Sequence, residues 1–217
     1  DDARTLFHEF GDGLHGLLSN VRYESLSGTE VKQDFVELPS QIMEHWAIEP
    51  DVLRSYARHF ETDEVIPEEL IARLRAASKF NTGFATTEYL AACFLDMAWH
   101  GENATDIEDV PAFEEAIAHQ IGNTTVVDPR YKSSYFQHIF SDDHYSAGYY
   151  VYIWAEVLDA DAFEAFKENG LFDPATANAF RQNILERGGS ADPMALYRAF
   201  RGRDPEVQAL LRNRGLN

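Results

Sequence analysis

Apolar residues recur at steps of three and four along most of the 217-residue chain, and the alternation typical of strands is scarce. In the first such stretch, Ala3 to Leu18, they are Leu6, Phe10, Leu14 and Leu17. This spacing places side chains on one face of a helix. The sequence therefore predicts an all-α fold.

Proline, glycine and asparagine residues mark the ends of the further periodic stretches. Residues 122–143 are the least periodic and predict a long loop with one helical turn. No linker or repeat divides the chain, so we expect residues 1–217 to form one domain or a large part of one. The helices predicted after the first are residues 34–47, 51–60, 67–80, 86–100, 110–121, 146–158, 160–168, 174–187, 193–200 and 205–212.

Two kinds of helix start are visible in the sequence. Asp34 with Glu37 three residues later resembles a capping box, and Pro39 in the same helix predicts a late start or a kink. An aspartate N-cap followed by proline at the first helical position is predicted three times. These Asp-Pro pairs are residues 173–174, 192–193 and 204–205.

The composition excludes several classes of function. An apolar content of 45% and an aromatic content of 13% are typical of a globular chain with a sizeable core. The formal net charge of −19, without any basic cluster, argues against nucleic acid and anionic membranes as partners. The single cysteine, Cys93, excludes an intrachain disulfide. No apolar run approaches the ~18 residues of a membrane span.

The segment FHEFGDGLH, residues 7–15, is close to a zinc-binding motif. In His-Glu-x-x-His, two histidines one helical turn apart bind the metal, and the glutamate contacts the bound water. His8 and Glu9 are present, and Asp12 occupies the position of the second histidine. A His-Glu pair alone is more typical of a solvated acidic helix than of a metal site. However, a zinc site of this kind takes its third ligand from a second helix, and Glu37 lies on the next predicted helix.

These blocks together resemble the thimet-oligopeptidase family of zinc metallopeptidases, and within it the bacterial peptidyl-dipeptidases. The family shows His-Glu-Phe-Gly-His-x-x-His, then Ser-Gly-Thr, then Asp-Phe-Val-Glu-x-Pro-Ser-Gln. This chain has SGT at residues 27–29 and DFVELPSQ at residues 34–41. The resemblance implies the C-terminal catalytic part of a zincin-type, channel-forming metallopeptidase. It also implies Zn²⁺ as the cofactor, with His8, Asp12 and Glu37 at the ligand positions.

Two later blocks extend the resemblance. FNTGFATTEY, residues 80–89, is similar to the family segment that shapes the substrate groove, which implies substrate contacts for Gly83 and Phe84. FQHIF at residues 136–140 and YSAGYYVYIW at residues 145–154 are similar to the tyrosine-rich substrate loop and the helix after it.

The tyrosine-rich block has a chemical role in the family. Peptide hydrolysis passes through an anionic tetrahedral species, which neutral donors stabilise. The resemblance implies that Tyr145, Tyr152 and His138 stabilise this species or hold the substrate. It implies a substrate contact for Tyr149 as well, with a place in the helix core as the alternative. His144, in a segment where the family often has glycines, is the alternative to His138.

The resemblance implies zinc-dependent hydrolysis of short peptides with release of C-terminal dipeptides. Glu9 would take a proton from the attacking water and pass it to the leaving amine. Release of dipeptides also implies a clamp on the substrate carboxylate. Its candidates, which no motif supports, are Arg130, Lys132 and Arg198.

Asp12 is the main departure from the family pattern. Aspartate is shorter than histidine, so a helix geometry that suits His8 leaves it short of the metal. Its charge also makes the metal site neutral rather than positive, so the pKa of bound water should rise above the ~7 typical of catalytic zinc. His15 lies about 10 Å from His8 along the axis, at roughly 1.5 Å per residue, and is expected to pack or support the site. We therefore predict reduced or abolished zinc affinity and turnover.

Three alternatives to a dipeptide-releasing zinc peptidase stay open. They are a peptide-binding protein without catalysis, a general oligopeptidase, and a structural helical domain in which the matching blocks are coincidental. The charged start directly before the motif helix leads us to expect upstream chain. The other channel wall would then come from a missing N-terminal part of the same protein or from a second chain. Short peptides are the expected ligands, and the cytoplasm is the expected compartment, with the periplasm or export as the alternative.

Overall fold

The computed structural model describes residues 2–101, 104, 106–123 and 126–216. Within these ranges there is no strand, and one isolated antiparallel bridge pairs Arg58 with Val65. The prediction of an all-α fold is confirmed. The α-helices are α1 (Asp2–Leu17), α2 (Gln33–Val36), α3 (Leu38–Ala47), α4 (Pro50–Tyr56), α5 (Glu68–Ala77), α6 (Thr82–Trp99), α7 (Val110–Gln120), α8 (Gln137–Phe140), α9 (Val151–Asn169), α10 (Pro174–Phe180), α11 (Pro193–Arg201) and α12 (Gln208–Asn213).

The chain divides into two compact units. The larger unit comprises the chain up to Phe80 and from Ile153 onward, and the smaller unit runs from Asn81 to Tyr152. That residues 1–217 act as one catalytic part stays a prediction. None of the helices in the described ranges is both long and apolar enough to cross a membrane.

The core of the larger unit is built mainly from α3, α9, α10 and α11. Trp46 packs edge-on against Phe163 and Phe166, with ring centroids 4.6 and 4.7 Å apart. The Tyr197 hydroxyl donates to Asp161 Oδ2 at 2.7 Å, and Arg203 Nη2 donates to Asp161 Oδ1 at 2.6 Å. The buried carboxylate is therefore hydrogen-bonded and paired, as burial of a charge requires.

Helix α1 packs against α3 at Gly11, where the two backbones nearly touch. A Cβ atom on Gly11 would lie 2.4 Å from the Pro39 carbonyl oxygen and 2.6 Å from Ser40 Cα. Only glycine fits such an approach. The contact holds His8 and Asp12, on either side of Gly11, against the start of α3.

The smaller unit has its own apolar core. Ala92, Leu95, Phe136, Ile139 and Tyr149 are buried together, so α6 and the short helix α8 enclose the segment that leads into α9. The predicted loop of residues 122–143 contains α8 and a 3₁₀ turn at Ser133–Tyr135. The side chain of Trp99 donates from Nε1 to Ser133 Oγ at 2.7 Å and so fixes this turn to α6.

The predicted helix 34–47 is two helices, because the chain breaks at Glu37. Lys32 is the N-cap of α2, so the predicted capping box is wrong. The Glu37 side chain does not return to Asp34; it is buried and lies beside Ser40 and His8. The late start that Pro39 predicts is confirmed, since α3 begins at Leu38.

Two other sequence signals were misread for one reason. The predicted break near Asp159 is wrong because α9 is continuous and Asp159 Oδ1 lies 2.5 Å from His45 Nε2. Asp173 and Asp192 accept hydrogen bonds as N-caps, as predicted. Asp204 instead accepts from Arg198, so α12 begins later, at Gln208. In both errors a side-chain partner outweighed the local preference of an aspartate, a distant one for Asp159 and a nearby one for Asp204.

The glycines of α1 provide a matched test of the α1–α3 contact. We expect Gly11→Ala to destabilise the full-length protein by about 1–3 kcal/mol, because the added methyl group forces the helices apart. Gly13→Ala is the control, since a Cβ there meets nothing within 4 Å and should stabilise the helix by about 0.5–1 kcal/mol. Thermal unfolding of the two variants measures the difference, and equal effects would contradict the close packing.

Candidate functional site

The larger unit brings His8 of α1 and Glu37 together. His8 Nε2 lies 3.4 Å from Glu37 Oε2, and His8 Nδ1 lies 2.6 Å from Glu44 Oε1 of α3. Ser40 Oγ donates to Glu37 Oε2 at 3.1 Å, and Arg4 pairs with Glu44. Hydrogen bonds to Glu37 and then to Glu44 raise the pKa of His8 to about 10. The imidazole is thus held from both sides by carboxylates.

Asp12 shares this part of the unit with Glu37. Burial, and then the negative charge of Glu37, raise the pKa of Asp12 to about 6, while His8 and the Ser40 hydroxyl act in the opposite direction. Two carboxylates so close together repel each other unless a proton or a cation lies near them. Glu9 is exposed on the same helix and adds a further negative charge to the surroundings of Asp12.

The fit of these side chains to a zinc ion can be judged from the distances between their donor atoms. Two ligands about 2.1 Å from a tetrahedral ion lie about 3.4 Å apart, and His8 Nε2 and Glu37 Oε2 are separated by 3.4 Å. The bond from His8 Nδ1 to Glu44 leaves Nε2 to face the metal. Nevertheless, the described part of the chain contains no set of three His, Cys, Asp or Glu side chains that could hold a metal ion. Two zinc ligands therefore fit, and Asp12 does not complete the set.

His15 lies elsewhere on α1, fully buried. Neither of its ring nitrogens has a hydrogen-bond partner among the described residues. Burial lowers the pKa of this imidazole to about 4, so the neutral ring is the stable form. His15 is a packing residue and does not compensate for the missing second histidine.

The smaller unit gathers the predicted aromatic residues into one cluster. The rings of Tyr145 and Tyr152 stack with centroids 5.6 Å apart and an interplanar angle of 6°. The His138 ring meets both edge-on, at 5.8 and 6.4 Å. His138 is exposed, and Tyr145 and Tyr152 are half-buried, so this cluster of three rings, the tyrosine cluster, borders on solvent.

Tyr149 forms the buried floor of the tyrosine cluster. Its side chain is almost entirely buried, and its ring lies 4.9 Å from Phe136 and 5.7 Å from His138. Burial raises the pKa of the Tyr149 phenol well above its ordinary value. This environment supports the helix-core alternative for Tyr149, and its predicted contact with substrate stays a prediction.

The other predicted residues of the smaller unit form no ring contact with Tyr145 or Tyr152 among the described residues. Gly83 and Phe84 are in the first turn of α6, where Phe84 is exposed. His144 is exposed, and its backbone N–H donates to Asp142 Oδ1 at 2.9 Å. The guanidinium of Arg130 lies over the Tyr131 ring, at 5.7 Å from the centroid.

Among the three candidates for a carboxylate clamp, Arg198 belongs to the larger unit and is bound by Asp204. Lys132 is exposed at the start of the Ser133–Tyr135 turn. Arg130 forms no ion pair within the described ranges; burial lowers the pKa of its guanidinium, but Tyr149, Tyr131 and the charge of Glu88 raise this pKa overall. Of the three candidates, Arg130 is therefore the one whose guanidinium lies against aromatic residues.

A His-Glu helix packed on a second helix with a buried glutamate is typical of zinc metallopeptidases of the His-Glu-x-x-His type. The comparison with protein families agrees with this class. Residues 1–216 match Peptidase family M3, and the chain belongs to that family. The resemblance seen in the sequence is confirmed.

Curated relatives cover the whole chain. The dipeptidyl carboxypeptidase of Escherichia coli (strain K12) is 46% identical over 219 residues, which cover 100% of this chain and 32% of that protein. Oligopeptidase A of the same strain is 40% identical over 220 residues, covering 100% of this chain and 32% of that protein. The chain thus spans about a third of the length of these relatives.

Glu44 is the site residue that the sequence reasoning missed. It follows Glu37 by two helical turns, a spacing that places two residues on one face. That spacing could have identified it as a partner for His8. It was not informative alone because the sequence does not show which face of α3 meets α1.

Glu44 can be tested through metal affinity. We expect Glu44→Gln to weaken zinc binding by about 10–100-fold, because the weaker acceptor would orient the His8 imidazole less firmly for a metal at Nε2. Competition with a chromogenic chelator measures the affinity of the full-length protein. Arg4→Gln is the control, since it removes the other partner of Glu44 and leaves the His8 contact. Equal affinities in the Glu44→Gln and parent proteins would show that Glu44 does not orient His8.

His15 makes the stability depend on pH. Its pKa is about 4 in the folded protein, against 6.5 for an ordinary histidine. The unfolded chain binds more protons than the folded protein between these two pH values. The contribution of His15 to the free energy of unfolding is therefore complete above pH 6.5 and is lost as the pH falls toward 4. The loss should reach about 3 kcal/mol relative to His15→Leu, which cannot titrate there. Thermal unfolding of both proteins from pH 7 to 4 measures it, and parallel curves would contradict the assignment.

Proposed function

We propose that the whole protein is a zinc-dependent peptidase of short peptides that releases dipeptides from the free C-terminus, with activity reduced by Asp12. The observation that carries the proposal is the pair His8 Nε2 and Glu37 Oε2, 3.4 Å apart, in a chain of Peptidase family M3. Release of dipeptides is supported by the 46% identity to a protein named dipeptidyl carboxypeptidase.

Zinc, when bound by His8 and Glu37, would supply the positive charge that polarises a peptide carbonyl and a water molecule. Glu9 is exposed on α1 next to these residues, where it can accept a proton from the attacking water and return it to the leaving amine. In the smaller unit, Tyr145 and Tyr152 offer phenol donors, which can stabilise an oxyanion without a charge of their own.

His138 is the better supported of the two histidine candidates. Its ring lies against Tyr145 and Tyr152, whereas His144 is exposed and makes no such ring contact within the described residues. Arg130 is the candidate for the carboxylate clamp, because its guanidinium lies beside aromatic rings and forms no ion pair in the described part of the chain. Short peptides with a free C-terminus are the proposed substrates.

Asp12 reduces the activity for two reasons. It does not complete the ligand set with His8 and Glu37, and it places a second carboxylate where the family has a neutral histidine. The extra negative charge makes the bound metal a weaker Lewis acid. A peptide-binding protein without catalysis is the second candidate, and Asp12 is the feature that favours it.

We expect Asp12→His to increase zinc affinity and the rate of peptide hydrolysis by about 10–100-fold, because it supplies a third neutral ligand one turn from His8. The measurement compares the full-length parent and variant on a short peptide with zinc supplied. Asp12→Asn is the control, since it removes the charge without adding an imidazole. Equal rates for the parent and Asp12→His would show that Asp12 is not a defect.

The products distinguish the remaining candidates. Mass spectrometry should show dipeptides from a peptide with a free C-terminus and none from the same peptide with a C-terminal amide. Internal cleavage of both peptides would indicate a general oligopeptidase. Peptide binding without cleavage by the parent and by Asp12→His would favour the binding protein.

A further inference from the structure

The segment from Tyr145 to Tyr152 turns sharply between its tyrosines. Ala147 has φ 54°, in the left-handed region that a residue with a Cβ rarely adopts. Gly148 follows, and a Cβ there would lie 3.2 Å from the His144 carbonyl oxygen. Such a backbone persists only where its surroundings hold it in place.

A buried carboxylate of α6 holds this turn. Asp96 is fully buried, and its Oδ1 accepts from the Ala147 N–H at 3.0 Å. Its Oδ2 accepts from the Tyr149 N–H at 2.8 Å. Each oxygen of the carboxylate therefore has its own backbone donor, on either side of Gly148.

His100, the C-cap of α6 one turn after Asp96, completes the arrangement. Its Nδ1 lies 2.8 Å from Asp96 Oδ1 and 3.2 Å from the Ala147 nitrogen. The shorter contact favours the tautomer in which Nδ1–H donates to the carboxylate, because a ring nitrogen with a proton cannot accept from Ala147. The imidazole thus fixes the orientation of the Asp96 side chain.

A third residue of the same helix binds the turn from the other side. The Tyr89 hydroxyl donates to the Tyr149 carbonyl oxygen at 2.6 Å. Both backbone polar groups of Tyr149 are consequently held by α6, through Asp96 and Tyr89. Residues 89, 96 and 100 lie along one face of α6 and its C-cap, and together they fix the backbone at Ala147 and Tyr149.

We propose that Asp96, oriented by His100, is a positioning residue that sets the directions of Tyr145 and Tyr152 toward a bound peptide. This inference rests on the proposed function of the tyrosine cluster. The carboxylate contacts the backbone two residues after Tyr145 and three residues before Tyr152. Release of either amide lets the left-handed turn at Ala147 relax, and the stacked phenols lose their common orientation.

The test is Asp96→Asn in the full-length protein, with Asp109→Ala as the matched control. An asparagine has one acceptor oxygen, so one of the two amides must lose its partner. Asp109 accepts from the Ala112 N–H as the N-cap of α7 in the same unit, so its loss weakens this unit without touching the tyrosine segment. His100→Ala is a milder second variant that keeps the carboxylate.

We expect hydrogen exchange in residues 145–152 to become roughly tenfold faster in Asp96→Asn and to stay unchanged in Asp109→Ala, because an unpaired buried amide favours opening. With the Asp12→His background supplying turnover, kcat should fall about 10–100-fold while KM changes less than about threefold. His100→Ala should show the same pattern with smaller changes. Unchanged exchange, or faster exchange with unchanged kcat, would overturn the inference.

Failure of the proposed function has a different signature. If neither the parent nor the Asp12→His protein cleaves peptides, the peptidase proposal fails. The inference about Asp96 is then decided by hydrogen exchange together with the affinity for a fluorescent peptide. A loss of affinity in Asp96→Asn but not in Asp109→Ala would support the positioning role. Equal affinities in the parent and both variants would leave Asp96 as a purely structural residue and overturn it.

Discussion

The close approach of α1 and α3 at Gly11 is the contact on which the candidate metal site depends. With the α3 backbone 2.4 Å from the position of an added Cβ, the two helices meet at backbone distance, and the buried residues of α1 are Gly11 and His15. His8 and Glu37 therefore meet at a distance set by the backbone. Because Leu38 and Ile42 bury the other side of α3, the site derives its geometry from the core rather than from a bound ion.

Electrostatics adds a second constraint at the same place. His8 lies between Glu37 and Glu44, and Asp12 contributes a third carboxylate nearby. In a site with two histidines and one glutamate, the side chain at the second histidine position is neutral. A Zn²⁺ ion bound there would leave the site with a net positive charge. With Asp12 the same space attracts cations through its charge but offers fewer neutral donors of the length that zinc requires. The Asp12 carboxylate therefore attracts a cation to the site without providing the neutral nitrogen ligand that a histidine would provide.

The sequence was sufficient for most helices because their apolar spacing and Asp-Pro starts are local signals. It failed at Asp159 and Glu37, whose side chains have a partner far along the chain, and at Asp204, whose side chain pairs with Arg198 of the preceding helix. The sequence also pointed to His8 and Glu37, which the structure brings together, because their motifs are local signals. Glu44 and Asp96 were missed, because nothing near them in the sequence names the imidazole or the backbone amides that they bind.

The structure also explains how the chain can keep the fold of its family with an aspartate at position 12. The two apolar cores contain no proposed metal ligand, and the helix contact at Gly11 needs no charge. A substitution at Asp12 therefore changes the chemistry of the site at little cost to the fold, unlike a change at Gly11. The presence of the tyrosine cluster and of the His8–Glu37 pair therefore reflects membership of the family and the packing of the fold. Packing alone does not set the chemistry of the site, because the carboxylate of Asp12 would lower the net positive charge of any cation bound beside it.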